Sequence, residues 1–201
     1  MLLKPGRRLA VTAALLAALA VTHAAAVDGS HQDAEQLKRK IASINAFGER
    51  PSTREQRVTV SEQEINAYLT FEVRSQLPAG VAEPAVTMLG AGQVSARAVV
   101  DLDAVRGQKS RGLFDPMSFL SGRLPVMASG VLRASQGTGH LELQTATLGG
   151  VRIPTSVLQD IVSYYSRTPA HPAGVSLADP FPLPAHIREI LVESGQTIIV
   201  Q

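Results

Sequence analysis

The clearest hydrophobic pattern in the chain lies within residues 57–77, where a short alternating stretch runs directly into an amphipathic helix. Ser61 and Glu64 have the spacing of a capping box, in which each side chain accepts a hydrogen bond from the backbone amide of the other residue. Val60 and Ile65 occupy the positions of a hydrophobic staple. The pattern therefore predicts a strand that ends at Ser61 and a helix that follows it. The apolar side of this helix is predicted to carry Ile65, Tyr68, Leu69, Val73 and Leu77.

A second helix is predicted ahead of that stretch. Its apolar line repeats at helical spacing through Leu37, Ile41 and Ile44, and Gly48 stands where a C-terminal cap is expected. The basic run at residues 38–40 lies off this line. Such a run is usually a solvated face, so we expect it to face water, with partner binding as the less favoured alternative.

Beyond residue 77 the period of the pattern changes from about 3.6 to 2, which indicates strands. A long hairpin is predicted around the turn at residues 90–92. One face of its second strand is apolar and mostly small, with Val94, Ala96, Ala98, Val100 and Leu102. The other face is polar, with Gln93, Ser95, Arg97 and Asp101. We therefore expect an antiparallel sheet with one covered side, where the small residues leave room for a helix or a ligand.

A second hairpin is predicted around the turn at residues 137–139, and one of its faces is again apolar. A helix is predicted to begin at Pro154, and a proline-rich stretch near Phe181 fits only an edge or irregular strand. The last hairpin is predicted to pair residues 189–193 with residues 196–200. Together these elements predict an α+β fold with a meandering antiparallel sheet.

Residues 103–124 form the longest stretch without a clear period, and they mix basic with apolar side chains. Met117, Leu120 and Leu124 favour a short helix that closes the core. The alternative is a mobile flap over a cavity, or a tip that touches an acidic membrane surface. The apolar residues of this predicted flap are Leu113, Phe114, Met117, Phe119 and Leu120.

Residues 1–26 have the form of a secretory signal peptide, with a basic start, an apolar run and small residues before a cleavage point after Ala26. Retention of this segment as a membrane anchor is the alternative. Cleavage removes three of the 19 basic residues and none of the 17 acidic ones, which leaves a net charge of −1. We therefore expect a periplasmic or secreted protein. Residues 27–55 are predicted to form an N-terminal helix and linker, and residues 56–201 a single α+β domain.

Residue types that carry chemistry are sparse. The chain contains no cysteine, which excludes thiolate metal sites and a cysteine nucleophile. His31, His140, His171 and His186 do not have the spacing of metal ligands within one element, so we expect no metal and no cofactor. A hydrolase that uses His140 or Asp101 is a distant third hypothesis, because no nucleophile motif accompanies them. The small net charge and the few aromatic residues argue against nucleic acid binding, and we expect no enzyme activity.

Four features occur together in the sequence. They are the strand that passes into a helix at residues 58–69, the glycine-punctuated hairpins, residues 148–154 ahead of a helix, and residues 181–184 ahead of the last hairpin. Together they resemble small exported bacterial members of the tubular lipid-binding (TULIP-like) superfamily, over most of the chain after the signal. The resemblance implies a curved antiparallel sheet packed on or wrapped around an amphipathic helix. It also implies a cavity for acyl chains or other lipids, without catalysis.

The functional prediction therefore depends on apolar shape rather than on reactive groups. We expect an exported, non-enzymatic protein that binds or carries a lipid or another apolar small molecule, exchanged through residues 106–124, with transient contact with a membrane surface. The alternative is a ligand-free envelope scaffold or assembly factor that docks another protein through the sheet edge near Phe181 or through the basic loop. The predicted apolar lining consists of Ile65, Leu69, Val73, Val94, Ala98, Val100, Leu141, Leu143 and Ile161.

Overall fold

The structure, a computed structural model, describes residues 29–50, 54–77, 80–107, 121–167, 172–174 and 176–201. The helices in these ranges are α1 (His31–Gly48), α2 (Glu62–Phe71), α3 (Leu102–Gly107) and α4 (Thr155–Ser166). The strands are β1 (Arg57–Ser61), β2 (Val81–Gly90), β3 (Gln93–Asp101), β4 (Arg123–Ser135), β5 (Thr138–Leu148), β6 (Val151–Arg152), β7 (Phe181–Pro182), β8 (Glu189–Glu193) and β9 (Gln196–Val200). The predicted signal at residues 1–26 and the predicted apolar flap residues lie outside the described residues.

These strands form one large antiparallel sheet that is not closed. β2, β3, β4 and β5 follow one another as a meander, and β9 lies between β1 and β8. β8 meets β4 at the pair Ala134 and Ile190, beyond the point where β3 begins. The Gly92 amide in the β2–β3 turn donates to the Val192 carbonyl at 3.2 Å. The β8–β9 hairpin therefore extends the sheet past the tip of the β2–β3 hairpin.

The fold confirms the predicted α+β class and the meandering antiparallel sheet. The turn predicted at residues 90–92 joins β2 to β3, and β8 and β9 have the bounds predicted for the last hairpin. Pro182 lies in a two-residue strand at the outer edge of β5, as its missing N–H requires. The edge strand predicted near Phe181 is therefore confirmed, with a length of two residues.

Two predicted helices differ from those in the structure. α2 ends at Phe71 and is followed by a 3-10 turn at Arg74–Gln76, so the prediction that it continues to Leu77 is wrong. Thr70, Phe71 and Val73 are β-branched or aromatic residues of weak helix propensity, which favours an end of the helix at this point. Leu124 belongs to β4, so its predicted place in a short helix is also wrong. The other members of that helix, Met117 and Leu120, lie outside the described residues.

The capping box predicted for α2 is confirmed. The Glu64 amide donates to the Ser61 hydroxyl at 3.1 Å, and the Ser61 amide donates to the Glu64 carboxylate at 2.9 Å. α1 begins with a second capping box, made by Ser30 and Asp33. Hydrogen bonds from the Ser30 hydroxyl and amide hold the pKa of the Asp33 carboxyl below its ordinary value. Both helices therefore begin at positions that local side chains specify.

The core lies where α1 packs against the sheet. Ile44 is 5% exposed and clusters with three other buried residues, Ala134 on β4 and Leu183 and Ile187 in the segment before β8. Leu37 is also buried, which confirms the predicted apolar line of α1. Gln201 extends the same region, since its side-chain amide donates to the Ile44 carbonyl at 2.9 Å. α1 is therefore packed into the main core of the sheet.

The basic run on α1 is not simply solvated. Lys40 Nζ lies 2.7 Å from each carboxylate oxygen of Glu64 on α2 and donates to the Thr59 carbonyl at 2.7 Å. The Glu64 side chain is only 5% exposed. Lys38 Nζ lies 3.3 Å from Glu72 but stays exposed. The predicted solvated face is therefore wrong for Lys40, because the sequence does not show that α1 and α2 pack side by side.

Side chains of α2 cover the outer edge of β2. The Asn66 side-chain amide donates to the Val86 carbonyl at 2.9 Å, and the Val86 amide donates to the Asn66 side-chain oxygen at 2.7 Å. One helical turn earlier, Glu62 accepts from the Met88 amide at 2.7 Å. Residues four apart on α2 thus bind residues two apart on β2, in the opposite chain direction. α2 thereby satisfies backbone groups that an edge strand would otherwise leave open to another chain.

Replacing Asn66 with alanine is expected to lower the free energy of unfolding by about 1–2 kcal/mol, because two hydrogen bonds to the β2 backbone are lost. It should also increase self-association, since the edge of β2 is then open. Chemical denaturation and light scattering would measure the two effects. Thr70→Ala on the same helix is the control, because Thr70 is exposed and bonds only within α2 among the described contacts. Equal stability of the two variants would contradict the role of Asn66.

Candidate functional site

One face of the β3–β4–β5 sheet is apolar, and strand register defines it. Residues that pair directly across antiparallel strands project to the same face, so paired positions form rows across the sheet. We call the apolar sheet face the set of four rows that follows. The rows are Val100–Leu124, Ala98–Val126–Leu148, Ala96–Ala128–Ala146 and Val94–Gly130–Leu143.

The apolar sheet face is a shallow trough in its middle rows. Alanine occupies four of the six positions in the two middle rows, whereas the end rows contain valine and leucine on both sides of Gly130 or next to each other. Ala146 is fully buried, but Ala96 is exposed and Ala98, Val126 and Ala128 are half-buried. The neighbouring end of β4, at Ala134, packs into the core instead. Apolar surface therefore stays partly accessible at the end of the sheet away from the core, within the part of the chain that the structure describes.

The opposite face of the same strands carries their polar side chains, as the alternation predicts, together with Val99, Pro125, Met127 and Val131. Arg97 is exposed on β3, and the Ser129 and Thr145 hydroxyls lie 2.5 Å apart across β4 and β5. Arg133 and Glu142 form an exposed ion pair at 3.5 Å. Asp101 has a further role that the alternation does not show, since its carboxylate accepts from the Asp103 amide at 3.1 Å at the start of α3. The polar and charged side chains of these strands thus share one face, whereas the four rows of the apolar sheet face contain none.

A cleft of about 350 Å³ lies along the outer edge of β5. We call it the β5 cleft. β7 pairs with Thr138 and Gly139 at one end of this edge, and β6 pairs with Thr147 and Leu148 at the other end. The cleft occupies the gap between the two short strands, under α4. Its lining consists of His140, Leu141, Glu142 and Leu143 from β5, Thr155, Ser156 and Gln159 from α4, and Leu177 and Ala178.

The structure brings together only part of the predicted lining. Leu141 and Leu143 line the β5 cleft, and Leu143 also belongs to the apolar sheet face. Val94, Ala98 and Val100 lie on that face but not in the β5 cleft.

The predicted lining residues on the helices lie elsewhere. Ile65, Leu69 and Val73 are half-buried on or just after α2, and the most buried residues of α2 are Glu64 and Ala67. α2 packs against α1 and the edge of β2, so it is not enclosed by the trough. Ile161 lies on α4, but its side chain is outside the described residues.

Sequence reasoning missed the polar residues of the β5 cleft. Thr155, Ser156 and Gln159 come from the first turns of α4, where their residue types indicate only an ordinary helix start. The Leu177 amide donates to the Gln159 side-chain oxygen at 2.7 Å, which brings Leu177 to the cleft. Proline and glycine near residues 169–174 predict a turn but not its direction. No sequence signal therefore connects the segment at residues 177–178 with the edge of β5.

The described residues contain no group of three or more histidine, aspartate and glutamate side chains that could hold a metal ion. None of the helices described by the structure is long and apolar enough to cross a membrane. Of the predicted hydrolase residues, His140 lies in the β5 cleft, and the Asp101 carboxylate accepts from the Ala104 amide at the start of α3. The fold and the site together define an α+β protein with an open antiparallel sheet, in which one face of β3, β4 and β5 is apolar and partly accessible.

Comparison with known proteins adds a weak structural neighbour. No protein-family model matches the chain, and no curated protein matches it. Among solved structures, the crystal structure of a lipopolysaccharide binding protein is similar at 15% sequence identity with a TM-score of 0.22. The match covers 72% of this chain and 40% of that chain. The chain thus spans less than half the length of that neighbour.

Proposed function

We propose that this protein is an exported, non-enzymatic carrier that binds an acyl chain or a similar apolar ligand on the apolar sheet face. The form of residues 1–26 supports export to the periplasm or beyond the cell. The scarcity of reactive side chains supports binding rather than catalysis. The ligand would be a lipid or another apolar small molecule, taken up with transient contact with a membrane surface.

The observation that carries this proposal is the partial exposure of the small residues in the trough. Ala96 is exposed, and Ala98 and Ala128 are half-buried beside it, although all three project from the apolar side of the sheet. A sheet face of this kind is ordinarily covered by a helix or by a second sheet. Alanines leave space above the strands, which a linear chain of methylenes can occupy between the larger side chains of Val100 and Leu143.

The energy available from this surface suits a reversible carrier. Each methylene that leaves water contributes about 0.8 kcal/mol, so about six methylenes contribute roughly 5 kcal/mol before binding costs are subtracted. The four rows of the apolar sheet face contain no charged residue. The face therefore binds longer apolar chains more tightly, and it offers few hydrogen bonds that would select one ligand over another.

Filling the trough is expected to weaken ligand binding without unfolding the protein. Ala98→Leu should lower the affinity for an apolar fluorophore about tenfold, equivalent to about 1.4 kcal/mol, because the added side chain occupies the space of the ligand. The free energy of unfolding should change by less than about 1 kcal/mol, since Ala98 is only half-buried. Fluorescence titration and chemical denaturation would measure the two quantities.

Gln93→Leu is the matched control, because it adds an apolar side chain to the same strand on the polar face. It should leave the affinity unchanged. Native mass spectrometry of the purified protein is the second readout and should show co-purifying lipid. The proposal fails if no bound species is found and the fluorophore does not bind with saturation.

A second candidate is a scaffold that docks another protein, and one observation favours it. β5 has an outer edge that no described strand covers between β6 and β7. Capture of lipid supports the carrier, whereas loss of a protein partner on changing this edge supports the scaffold. The two functions use different surfaces, the face and the edge of the same sheet, so they are separately testable.

A further inference from the structure

The backbone of β5 directs hydrogen-bonding groups into the β5 cleft. The Leu132 amide donates to the Gly92 carbonyl at 2.8 Å, so the backbone groups of Leu132 point away from β5. Leu141 is the direct partner of Leu132 in the β4–β5 ladder. The two residues therefore form a non-hydrogen-bonded pair, in which each residue directs its N–H and C=O groups away from the partner strand. The Leu141 amide and carbonyl therefore point to the outer edge of β5.

The same direction recurs along this edge. Leu143 lies two residues further and shares the outward direction, since strands repeat every two residues. Beyond the irregularity near Gln144, the Ala146 carbonyl accepts from the Ile153 amide at 3.0 Å, which shows that it also points outward. At the other end, Gly139 pairs with Phe181 of β7. Other residues of this chain thus bind the edge of β5 at both ends, and Leu141 and Leu143 lie between these two points.

The outer edges of the β2–β5 meander, at β2 and at β5, differ in how far other residues cover their backbone groups. At β2, Asn66 and Glu62 bind the outward groups of Val86 and Met88. At β5, no strand of the described residues pairs with residues 140–146, and the interval opens onto a cleft with apolar and hydroxyl-bearing walls. Uncovered edges recruit other strands, which is why proteins usually block them. Among the described residues, the edge of β2 is thus blocked at Val86 and Met88, whereas the edge of β5 is open at Leu141 and Leu143. This difference is the arrangement expected where one edge receives a partner.

We propose that the β5 cleft binds an extended peptide segment of a partner protein, which adds as a strand between β7 and β6. The backbone of this segment would exchange hydrogen bonds with Leu141 and Leu143, as in other cases of strand addition. Four residues of β5 line the cleft and span roughly 13 Å at about 3.3 Å per residue, which accommodates three or four residues of peptide. The volume of about 350 Å³ falls within the usual range for binding sites.

The walls of the cleft indicate which peptide it accepts. Leu141, Leu143 and Leu177 present apolar surface, and Thr155 and Ser156 add hydroxyl groups at the start of α4. Side chains alternate along an extended peptide, so one set would contact the leucines while the other set faces water. His140 and Glu142 also line the cleft. The partner chemistry is therefore a strand in which apolar and small polar residues alternate.

Backbone-methylated peptides test this geometry on the unchanged protein. Capped heptapeptides in which threonine alternates with valine, leucine or phenylalanine would be titrated into the ¹⁵N-labelled chain. At least one should bind with saturation in the millimolar range or tighter and shift the amide resonances of Leu141 and Leu143. N-methylation of the alternate residues that face β5 should weaken binding at least tenfold, because it removes those donors. N-methylation of the intervening residues should change affinity less than threefold.

A backbone substitution in β5 provides the complementary test. Leu141→Pro removes an outward N–H without removing a bond to β4, a position where an edge strand tolerates proline. It should weaken peptide binding at least tenfold, whereas Leu141→Ala keeps the N–H and should weaken it about threefold. Circular dichroism would confirm that both variants fold. If Leu141→Pro does not fold, the methylated peptides show on the native chain whether the peptide binds through the β5 backbone.

Two results would overturn the proposal. One is that no peptide of the set shifts the Leu141 and Leu143 amides at millimolar concentration. The other is that both methylation patterns bind equally, since the ladder would then play no part. The Ala98→Leu variant separates this site from the proposed carrier function. Peptide binding should persist in that variant, because Ala98 lies outside the β5 cleft.

Discussion

Replacing Ile44 with alanine is expected to lower the free energy of unfolding by about 2–5 kcal/mol, the largest effect of any substitution considered for this protein. Ile44 lies on α1 and clusters with Ala134 on β4 and with Leu183 and Ile187. Truncation removes buried methyl and methylene groups and leaves a cavity between elements that are far apart in the chain. Because these neighbours belong to a strand and a loop that pack on the helix of Ile44, the cavity cannot close without moving more than one element. Chemical denaturation would measure the loss.

Ile41→Ala is the matched control for this substitution. Ile41 lies on the same helix and is only half-buried, so the same change of side chain should cost about 1 kcal/mol. A similar loss in both variants would mean that helix propensity, rather than packing, accounts for the effect. A negligible loss in Ile44→Ala would mean that α1 is not part of the cooperative fold.

Replacing Lys40 with methionine is the second large effect and should cost about 2–3 kcal/mol. The Glu64 carboxylate is almost inaccessible to water, with the Lys40 ammonium 2.7 Å away. Removal of one partner of a buried ion pair costs about 3–5 kcal/mol, since the other charge stays buried without compensation. The expected loss is smaller here because a third of the Lys40 side chain is exposed, so water reaches the pair.

A double substitution separates the ion pair from the capping box. Glu64→Gln keeps a side-chain oxygen that can accept from the Ser61 amide, because capping boxes take either glutamate or glutamine at this position. Lys40→Met with Glu64→Gln should therefore be more stable than Lys40→Met alone, as no uncompensated charge remains. Thermal unfolding of the two single variants and the double variant would give the coupling energy. Additive losses would show that the pair contributes no interaction of its own.

The two functional proposals assign different roles to one sheet. The face of β3, β4 and β5 offers small apolar residues to a ligand, and the edge of β5 offers backbone groups to a strand. Leu143 belongs to both, through its row with Gly130 and through the β5 cleft. A bound acyl chain and a bound peptide would therefore lie near each other at this residue. Measurement of each affinity in the presence of the other ligand would show whether they compete.

Local sequence signals predicted much of the fold. The Ser61 and Glu64 capping box, the turn at residues 90–92 and the last hairpin depend on residues close together in the chain, and the structure has all three. The polar and apolar alternation of β3 also predicted its two faces. Such features follow from backbone preferences and side-chain hydrogen bonds within a few residues, so no knowledge of the rest of the molecule is needed.

Features that depend on contacts between distant residues were not predictable in the same way. Nothing near Asn66 in the sequence indicates that it binds the backbone of Val86, and Lys40 gives no local sign of its pairing with Glu64. The predicted apolar side of α2 was not its most buried side, because α1 packs against the residues around Glu64 and Ala67 instead. The β5 cleft likewise depends on α4 and on residues 177–178 folding over one strand edge.

By itself, the sequence determined the α+β class, the meander and the division of the sheet into an apolar and a polar face, since these follow from hydrophobic period and turn residues. Only the tertiary structure decided which apolar residues stay accessible and which strand edge stays open. The physical reason is that burial and backbone pairing are set by neighbours distant in the chain. Ala98 and Ala146 have the same residue type on the same sheet face, yet one is half-buried and the other is fully buried.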